Sequence, residues 1–309
     1  MSKRSHLLQA DYTEDNVAVA LEMLLTTLSF PLHRFSIDVM SRKRERLLGA
    51  DARLNGRLRG FRPFYMQFKR PSAYPDYSSS RIIVDRAALG LSCAPHTLFF
   101  PLRDKKRGQR EFQHNALLKL RRRLQSRGLG EAAYVCPLFL DHVLYRSAMH
   151  CSGLIHWFAF WRHRPWLLED ALIHDGGRTI AFDRIPILAE HVTIPPHTLV
   201  TDAKHHYSFD ERGGQLCFHD PTPLPDGSSN LAKFLSQVAE RFLGEGGTLQ
   251  VDESDAVLSQ LSADLYGEPF ALDDLGDDPI GRWYEWGFRL RRDFGIMQYA
   301  FIQWDEPVV

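Results

Sequence analysis

Residues 48–71 constrain the fold of this chain more than any other segment. The dipeptide Asn55-Gly56 lies between two short strand-like runs, a pattern typical of a turn that reverses the chain. Successive side chains of a strand point to opposite faces of its sheet. The second run therefore places Phe64, Met66 and Phe68 on one face, which we expect to pack into a core.

The opposite face of this strand carries Tyr65, Gln67 and Lys69. Because the apolar face packs inward, we expect this polar face to be solvated or to line a cleft. The predicted turn brings Asp51, from the first strand, beside Gln67 and Lys69. A carboxylate, an amide oxygen and an ammonium that converge in this way could hold a divalent cation and an attacking water.

The segment Gly49-Ala50-Asp51, followed about fifteen residues later by Gln67-Phe68-Lys69-Arg70, resembles the PD-(D/E)XK (restriction-endonuclease-like) nuclease superfamily. It is most similar to the Mrr-like branch, in which glutamine replaces the second acidic residue. The resemblance covers roughly the first half of the chain. It implies hydrolysis of DNA phosphodiester bonds with Mg²⁺ or Mn²⁺.

The same resemblance implies a set of site residues. Asp51 would be the principal metal ligand, the Gln67 side-chain oxygen a further ligand, and Lys69 would orient the attacking water or stabilise the transition state. The superfamily commonly adds a glutamate from the first helix. Glu14 is our choice for that ligand and Glu22 the alternative, while an ordinary solvated first helical turn explains Glu14 equally well from the helix alone.

The order of predicted elements agrees with this resemblance. Apolar spacing predicts helices at 11–29 and 111–127, and strand-like runs lie at 33–40, around Asp51, around Gln67 and at 132–139. This is the αβββαβ order of the nuclease-like core. We therefore expect an α/β (α+β) fold with a mixed central sheet and a C-terminal α+β extension. Residues 81–85 are predicted as a further short strand, and 205–219 as a hairpin.

Charge divides the chain into two halves. Residues 1–150 contain 26 Lys and Arg against 13 Asp and Glu, whereas residues 151–309 contain 12 against 25. We expect a basic core over 1–150 and an acidic extension over 151–309 that packs on it. The basic half suggests a polyanion partner, and the alternative is that the halves neutralise each other. The candidate nucleic-acid contacts are Arg70, Lys105, Lys106, Arg107, His114, Arg121 and Arg122.

Several other classes of protein are not indicated. No apolar run approaches transmembrane length, and the N-terminus has no signal-peptide pattern. Four scattered cysteines without a Cys-x-x-Cys pair fit a reducing cytoplasm. The histidines of the 205–219 hairpin have poor spacing for zinc, so we expect structural roles for them.

The sequence thus supports a leading hypothesis and two alternatives. The leading one is a cytoplasmic, metal-dependent endonuclease acting on DNA, in a defence or restriction system. The second is a catalytically inactive nuclease-like subunit that binds DNA or acts as a scaffold among the proteins of a defence complex. The third is a structural α/β protein in which Gln67 and Lys69 are surface residues of an edge strand. No membrane partner is expected, and homo-oligomerisation stays open.

Overall fold

The computed structural model describes residues 7–29, 35–40, 58–75, 80–162, 173–174, 179–180, 182–224, 229–244, 247–270 and 279–304. These residues form a mixed α+β structure, which confirms the expected fold class. The helices in the described part are α1 (Glu14–Ser29), α2 (Arg81–Ala88), α3 (Gln113–Ser126), α4 (His142–Arg162), α5 (Pro186–Ala189), α6 (Leu231–Leu243), α7 (Ser254–Tyr266) and α8 (Pro279–Phe294).

Fifteen strands lie in the described residues. They are β1 (Leu8–Gln9), β2 (Phe35–Val39), β3 (Leu58–Phe68), β4 (Ser72–Tyr74), β5 (Thr97–Pro101), β6 (Ala132–Pro137), β7 (Ile173–His174), β8 (Thr179–Ile180), β9 (His191–Ile194), β10 (His206–Phe209), β11 (Cys217–Phe218), β12 (Thr222–Pro223), β13 (Ser229–Asn230), β14 (Leu249–Gln250) and β15 (Met297–Trp304). The central sheet has the order β13-β9-β6-β3-β15-β2, with β14 also paired to β3. A second sheet has the order β1-β4-β5-β10-β11-β12, and β7 pairs with β8.

Strand β3 lies in the interior of the central sheet. It runs parallel to β6 and antiparallel to β15. Parallel neighbours need a crossover connection, and the chain between β3 and β6 contains α3. β15 lies between β3 and β2, and at Gly60 and Phe61 both edges of β3 are paired, by β14 and β15. The hairpin partner expected around Asp51 lies outside the described residues.

Both faces of β3 are buried. Phe64, Met66 and Phe68 pack in one core with α1 and α6, whereas Phe61 and Tyr65 pack in a second core with α3, α7 and α8. Alternation therefore assigned the side chains of β3 to the correct faces. The expectation that the Tyr65 face is solvated or lines a cleft is wrong, because two layers of structure cover the strand. The third hypothesis, an edge strand with surface Gln67 and Lys69, is excluded for the same reason.

Two further sequence expectations can be compared with the described elements. Residues 81–85, expected as a strand, begin helix α2, whose first turn is capped by the Ser80 hydroxyl accepting from the Ile83 amide. The 205–219 hairpin is confirmed, since β10 pairs with β11. Both larger sheets contain strands from residues 1–150 and strands from residues 151–309, so the two halves share their sheets.

The first prediction concerns the core beneath β3. Phe64 is completely buried and stacks on Tyr299 with ring centroids 5.4 Å apart. We expect Phe64→Ala to lower the free energy of unfolding by about 3–5 kcal/mol, because it leaves a cavity between two helices and the sheet. Urea unfolding measures this, with Leu144→Ala, an exposed position on α4, as the control that should change little. Equal losses for both variants would contradict this packing.

Candidate functional site

Gln67, Lys69 and Gln113 meet in a buried polar cluster at the end of β3. Gln67 is 1% and Lys69 2% exposed. Lys69 directly follows β3, and its backbone amide donates to the Val135 carbonyl of β6 at 2.9 Å. Its ammonium donates to the Gln113 side-chain oxygen, also at 2.9 Å. The first turn of α3 thus contacts the residue that the sequence predicted as the catalytic lysine.

The carbonyl of Phe294, the last residue of α8, anchors this cluster. It accepts hydrogen bonds from the side-chain amides of both Gln67, at 3.0 Å, and Gln113. The last carbonyls of a helix have no partner within the helix, so they are available to side-chain donors. Gly295 follows with a φ of +66°, and a Cβ there would meet the Gln113 side-chain nitrogen at 3.1 Å. Glycine therefore suits both the backbone conformation and the close approach.

Lys69 lies in an environment that disfavours its charge. Burial lowers the pKa of its ammonium from 10.5 to about 8, the nearby Glu14 carboxylate raises it, and Arg103 lowers it. The ammonium also lies 5.5 Å from the ring centroid of Tyr134. Because this pKa of about 8 is still above 7, Lys69 is mostly protonated at neutral pH. It nevertheless titrates much closer to neutrality than an exposed lysine does.

Glu14 is the α1 carboxylate that acts on this cluster. It lies in the first turn of α1, and the Thr13 hydroxyl caps that helix by accepting from the Asn16 amide. Arg103 donates a hydrogen bond to the Glu14 carboxylate. The side chain of Glu14 is 23% exposed and that of Arg103 51%, so this ion pair reaches the surface. Glu22 is not among the charges that shift the pKa of Lys69.

Gln67 retains an unused acceptor. Its side-chain oxygen is buried and has no hydrogen-bond partner within the described part of the chain, while its nitrogen donates to Phe294. A buried carbonyl oxygen without a partner costs free energy unless water or a cation completes it. Oxygen donors of this kind suit Mg²⁺. Asp51 lies outside the described residues, and the described residues contain no group of three or more His, Cys, Asp or Glu arranged to hold a metal.

His114 does not fit its predicted role as a nucleic-acid contact. It is 1% exposed, and its ring nitrogens contact the Tyr134 hydroxyl at 2.9 Å and the Thr198 carbonyl at 2.7 Å. Burial lowers its pKa to about 4, so the ring is neutral at physiological pH. This histidine joins α3 to β6 and to the segment after β9, and both of its ring nitrogens already have protein partners.

The predicted basic contacts fall into two groups. Arg121 forms an ion pair with Glu131 at 2.7 Å, so its charge is neutralised locally, whereas Arg122 is exposed on α3. Arg70 is exposed directly after Lys69. The remaining predicted contacts lie in the segment 103–110, which we call the basic loop. Its cationic residues are all exposed: Arg103, Lys105, Lys106, Arg107 and Arg110.

The basic loop borders the buried cluster. Arg103 reaches Glu14, and the Gln109 side chain donates to the carbonyl of Asp293, next to Phe294. Gln113 begins the helix three residues after the loop ends. The contacts with Glu14 and Asp293 therefore hold the exposed cations of the basic loop beside the polar cluster.

Sequence reasoning missed two participants in this site. The pairing of Arg103 with Glu14 joins residues 89 positions apart, and the Phe294 carbonyl lies 227 positions from Gln67. The only local signal was Gly295 after a basic helical turn, which is typical of a helix end. That signal predicts where α8 stops but not what its last carbonyl contacts.

Comparison with known proteins found no matching family model, no matching curated protein and no matching solved structure. In the described part of the chain, none of the helices combines the length and apolar character needed to cross a membrane. All four cysteines are free thiols.

The second prediction follows from the pKa of Lys69. Between about pH 8 and the unfolded-state pKa near 10.4, the unfolded chain binds more protons at this residue than the folded protein does. Stability should therefore rise with pH in this window. We expect the free energy of unfolding of the wild type, minus that of Lys69→Met, to increase by up to roughly 3 kcal/mol from pH 7 to pH 10.

Urea unfolding at several pH values measures this difference, in which the other titrating groups cancel. Lys233→Met, an exposed position on α6, is the matched control and should show no such rise. If the difference for Lys69→Met stays constant with pH, the ammonium is not desolvated as described.

Proposed function

We propose that this protein is a metal-dependent nuclease that hydrolyses phosphodiester bonds of DNA. The observation that carries the proposal is the buried cluster itself: an ammonium 2% exposed, beside an amide oxygen without a partner and close to the Glu14 carboxylate. Ionisable groups with strongly shifted pKa values are concentrated at functional sites. The resemblance to the Mrr-like branch assigned the same three residues.

The chemistry assigns a role to each side chain. A bound Mg²⁺ or Mn²⁺ would supply an activated water and neutralise charge on the scissile phosphate. Glu14 and the Gln67 oxygen, together with Asp51, would hold that ion. Lys69 donates a positive hydrogen bond to a phosphate oxygen as negative charge develops there. Gln113 fixes the Lys69 ammonium through their hydrogen bond, and so acts as a positioning residue.

The basic loop supports a polyanionic substrate. Its exposed cations lie beside the cluster and could bind the phosphates on either side of the scissile bond. In contrast, Arg121 is already paired with Glu131, and His114 is neutral and buried. We therefore assign nucleic-acid binding to the basic loop, Arg70 and Arg122.

The alternative function is a catalytically inactive nuclease-like subunit that binds DNA or acts as a scaffold within a multi-protein complex. A specific observation favours it. Glu14 already binds Arg103, and both Gln67 and Lys69 are almost fully buried. In this function the cluster holds α8 and α3 against β3, and the basic loop alone contacts DNA.

The third prediction separates these two functions. Lys69→Met keeps the length of the side chain and removes the ammonium. In the nuclease, we expect cleavage of plasmid DNA with Mg²⁺ or Mn²⁺ to fall by about a hundredfold or more, because one transition-state donor is lost. DNA affinity should change little, since most phosphate contacts remain. Cleavage assays and fluorescence anisotropy measure the two quantities.

Two control variants complete this experiment. Lys233→Met should cleave as the wild type does, and Asp51→Ala should be as inactive as Lys69→Met. Unchanged cleavage by Lys69→Met would overturn the proposed site. Wild-type protein that binds DNA but never cleaves it would establish the inactive alternative.

The fourth prediction tests the basic loop. Neutralising one phosphate contact changes the slope of log affinity against log salt by about 0.9 for duplex DNA. We expect the double variant Lys106→Gln/Arg107→Gln to weaken DNA binding and to reduce this slope by up to about 2. Lys233→Gln/Arg212→Gln removes the same charge from exposed positions elsewhere and should leave the slope unchanged. Equal effects of the two double variants would mean that DNA is not bound at this loop.

A further inference from the structure

A second polar site lies away from the candidate nuclease cluster. A cleft of about 270 Å³ opens between α2 and the β10–β11 hairpin. Eight of its nine lining residues are ionisable: Arg81, Asp85, Asp202, Lys204, His205, His206, His219 and Asp220, with Ile82 as the ninth. Its volume lies just below the roughly 300–1,000 Å³ typical of small-molecule sites. A cleft lined in this way must contain water or a polar ligand.

The deep end of the cleft is held by a fixed hydrogen-bond chain. Asp85 contacts the Nδ1 atom of His219 at 3.1 Å, and the Nε2 atom of His219 contacts the Ser208 hydroxyl at 2.8 Å. The Arg86 guanidinium donates to the same hydroxyl at 2.9 Å. Ser208 is completely buried and does not line the cleft. This chain therefore builds the wall of the cleft, and Ser208 is not placed to attack a substrate.

Two of the three carboxylates that line the cleft, partly buried Asp85 and exposed Asp202, already have partners. Asp85 contacts His219 and lies 3.6 Å from the Arg81 guanidinium. Asp202 accepts from the backbone amide of Lys204 and lies 3.7 Å from His205. The Arg81 side chain is 84% exposed, and Lys204 is also exposed. The two cations thus remain accessible at the mouth of the cleft.

The net charge of the cleft depends on the protonation of its three histidines. With neutral histidines, two cations face three carboxylates, whereas full protonation of the histidines makes the cleft positive. Burial lowers the pKa of His206 and of His219 from the usual value. The hydrogen bond and charge of Asp85 raise the pKa of His219, whereas Arg86 and Arg81 lower it. His219 and, more weakly, Arg81 also lower the pKa of His206. A bound anion would offset these effects and favour the protonated rings.

We propose that this cleft binds the phosphate group of a small phosphate monoester, with Arg81 and Lys204 as its fixed cations and with proton uptake by His206. Both fixed cations stand at the mouth, where they meet a doubly charged anion. Asp220, exposed at the end of β11, faces the same space and suits a hydroxyl group of the ligand. A metal site is not favoured here, because the described residues hold no suitable group of metal ligands. The proposal is independent of the nuclease function.

Sulfate is the first probe, because it stays doubly charged between pH 5.5 and 8, so any dependence of its affinity on pH reports the protein. Isothermal titration calorimetry of the whole protein at low ionic strength should show saturable sulfate binding that tightens as the pH falls from 7.5 to 5.5. Because the protein takes up protons when the anion binds, the affinity must rise as the pH falls. Ribose 5-phosphate should compete with sulfate, and should bind more tightly than sulfate at the same pH.

Lys204→Gln should weaken both ligands by about tenfold or more, since a charge-assisted hydrogen bond is lost. Lys233→Gln is the matched control and should bind as the wild type does. His206→Gln should abolish most of the pH dependence while the fold remains, as judged by circular dichroism.

Several results would overturn the proposal. They are no saturable binding of either probe, equal binding by Lys204→Gln and the wild type, or binding that weakens on acidification. Sulfate binding with no competition from ribose 5-phosphate would also exclude a monoester site.

Discussion

Strand β3 is covered on both faces and paired on both edges, so its polar side chains must find their partners inside the protein. Burying a polar group is unfavourable unless it is hydrogen-bonded. Arg62 donates to the carbonyls of Gly128 and Gly247, Gln67 to that of Phe294, and Lys69 to Gln113. These contacts determine where the turn before β6, the segment before β14 and the end of α8 dock on the sheet.

The two buried cations on this strand are solvated differently. Arg62 spreads its charge over carbonyl oxygens from two separate segments. Lys69 has one neutral amide acceptor, an aromatic ring and a carboxylate that Arg103 already binds. The guanidinium is therefore a structural connection, whereas the ammonium remains poorly compensated. Burial lowers the pKa of both groups, that of Arg62 from 12.5 to about 10 and that of Lys69 from 10.5 to about 8, and only Lys69 is brought close to neutrality.

Local sequence signals predicted the elements well, and nonlocal contacts decided the rest. Apolar spacing placed α1 and α3, and alternation sorted the faces of β3, because these signals depend on neighbours in sequence. Residues 81–85 were wrongly predicted as a strand, because a run of five apolar and charged residues fits a strand and a helix equally. The Ser80 side chain, which accepts from the Ile83 amide, caps the helix that forms there. The neighbour of β3 is β15, more than 200 residues later, so no local turn could reveal it.

In the candidate site, too, local sequence signals predicted some features and nonlocal contacts decided the others. Gln67, Lys69 and Glu14 were predicted from the motif and the helix, and the structure brings all three to one region. The burial of Gln67 and Lys69 was not predicted, since it depends on α8 and on the first turn of α3. The role of Arg103 was also missed, because its partner lies on α1.

Opposite charges on the two halves of the chain are only partly neutralised. Arg123 of the basic half pairs with Asp264 of the acidic half, whereas Arg241 of the acidic half lies 3.7 Å from Glu131 of the basic half. The basic loop keeps exposed cations beside the cluster. Charge balance across the molecule therefore coexists with a local positive surface at the basic loop.

The energetics of the cluster separate a site that acts from one that only supports the fold. A methionine in place of Lys69 would fill the same space without desolvating a charge, and a partnered side chain in place of Gln67 would leave no orphaned oxygen. A purely structural cluster gains nothing from either feature, and both lower the stability of the fold. An active site gains from both, because an ammonium in a low-dielectric site interacts more strongly with a developing negative charge than one in water. In the nuclease function that we propose, the free energy lost at the end of β3 would be recovered when the Lys69 ammonium meets a phosphate.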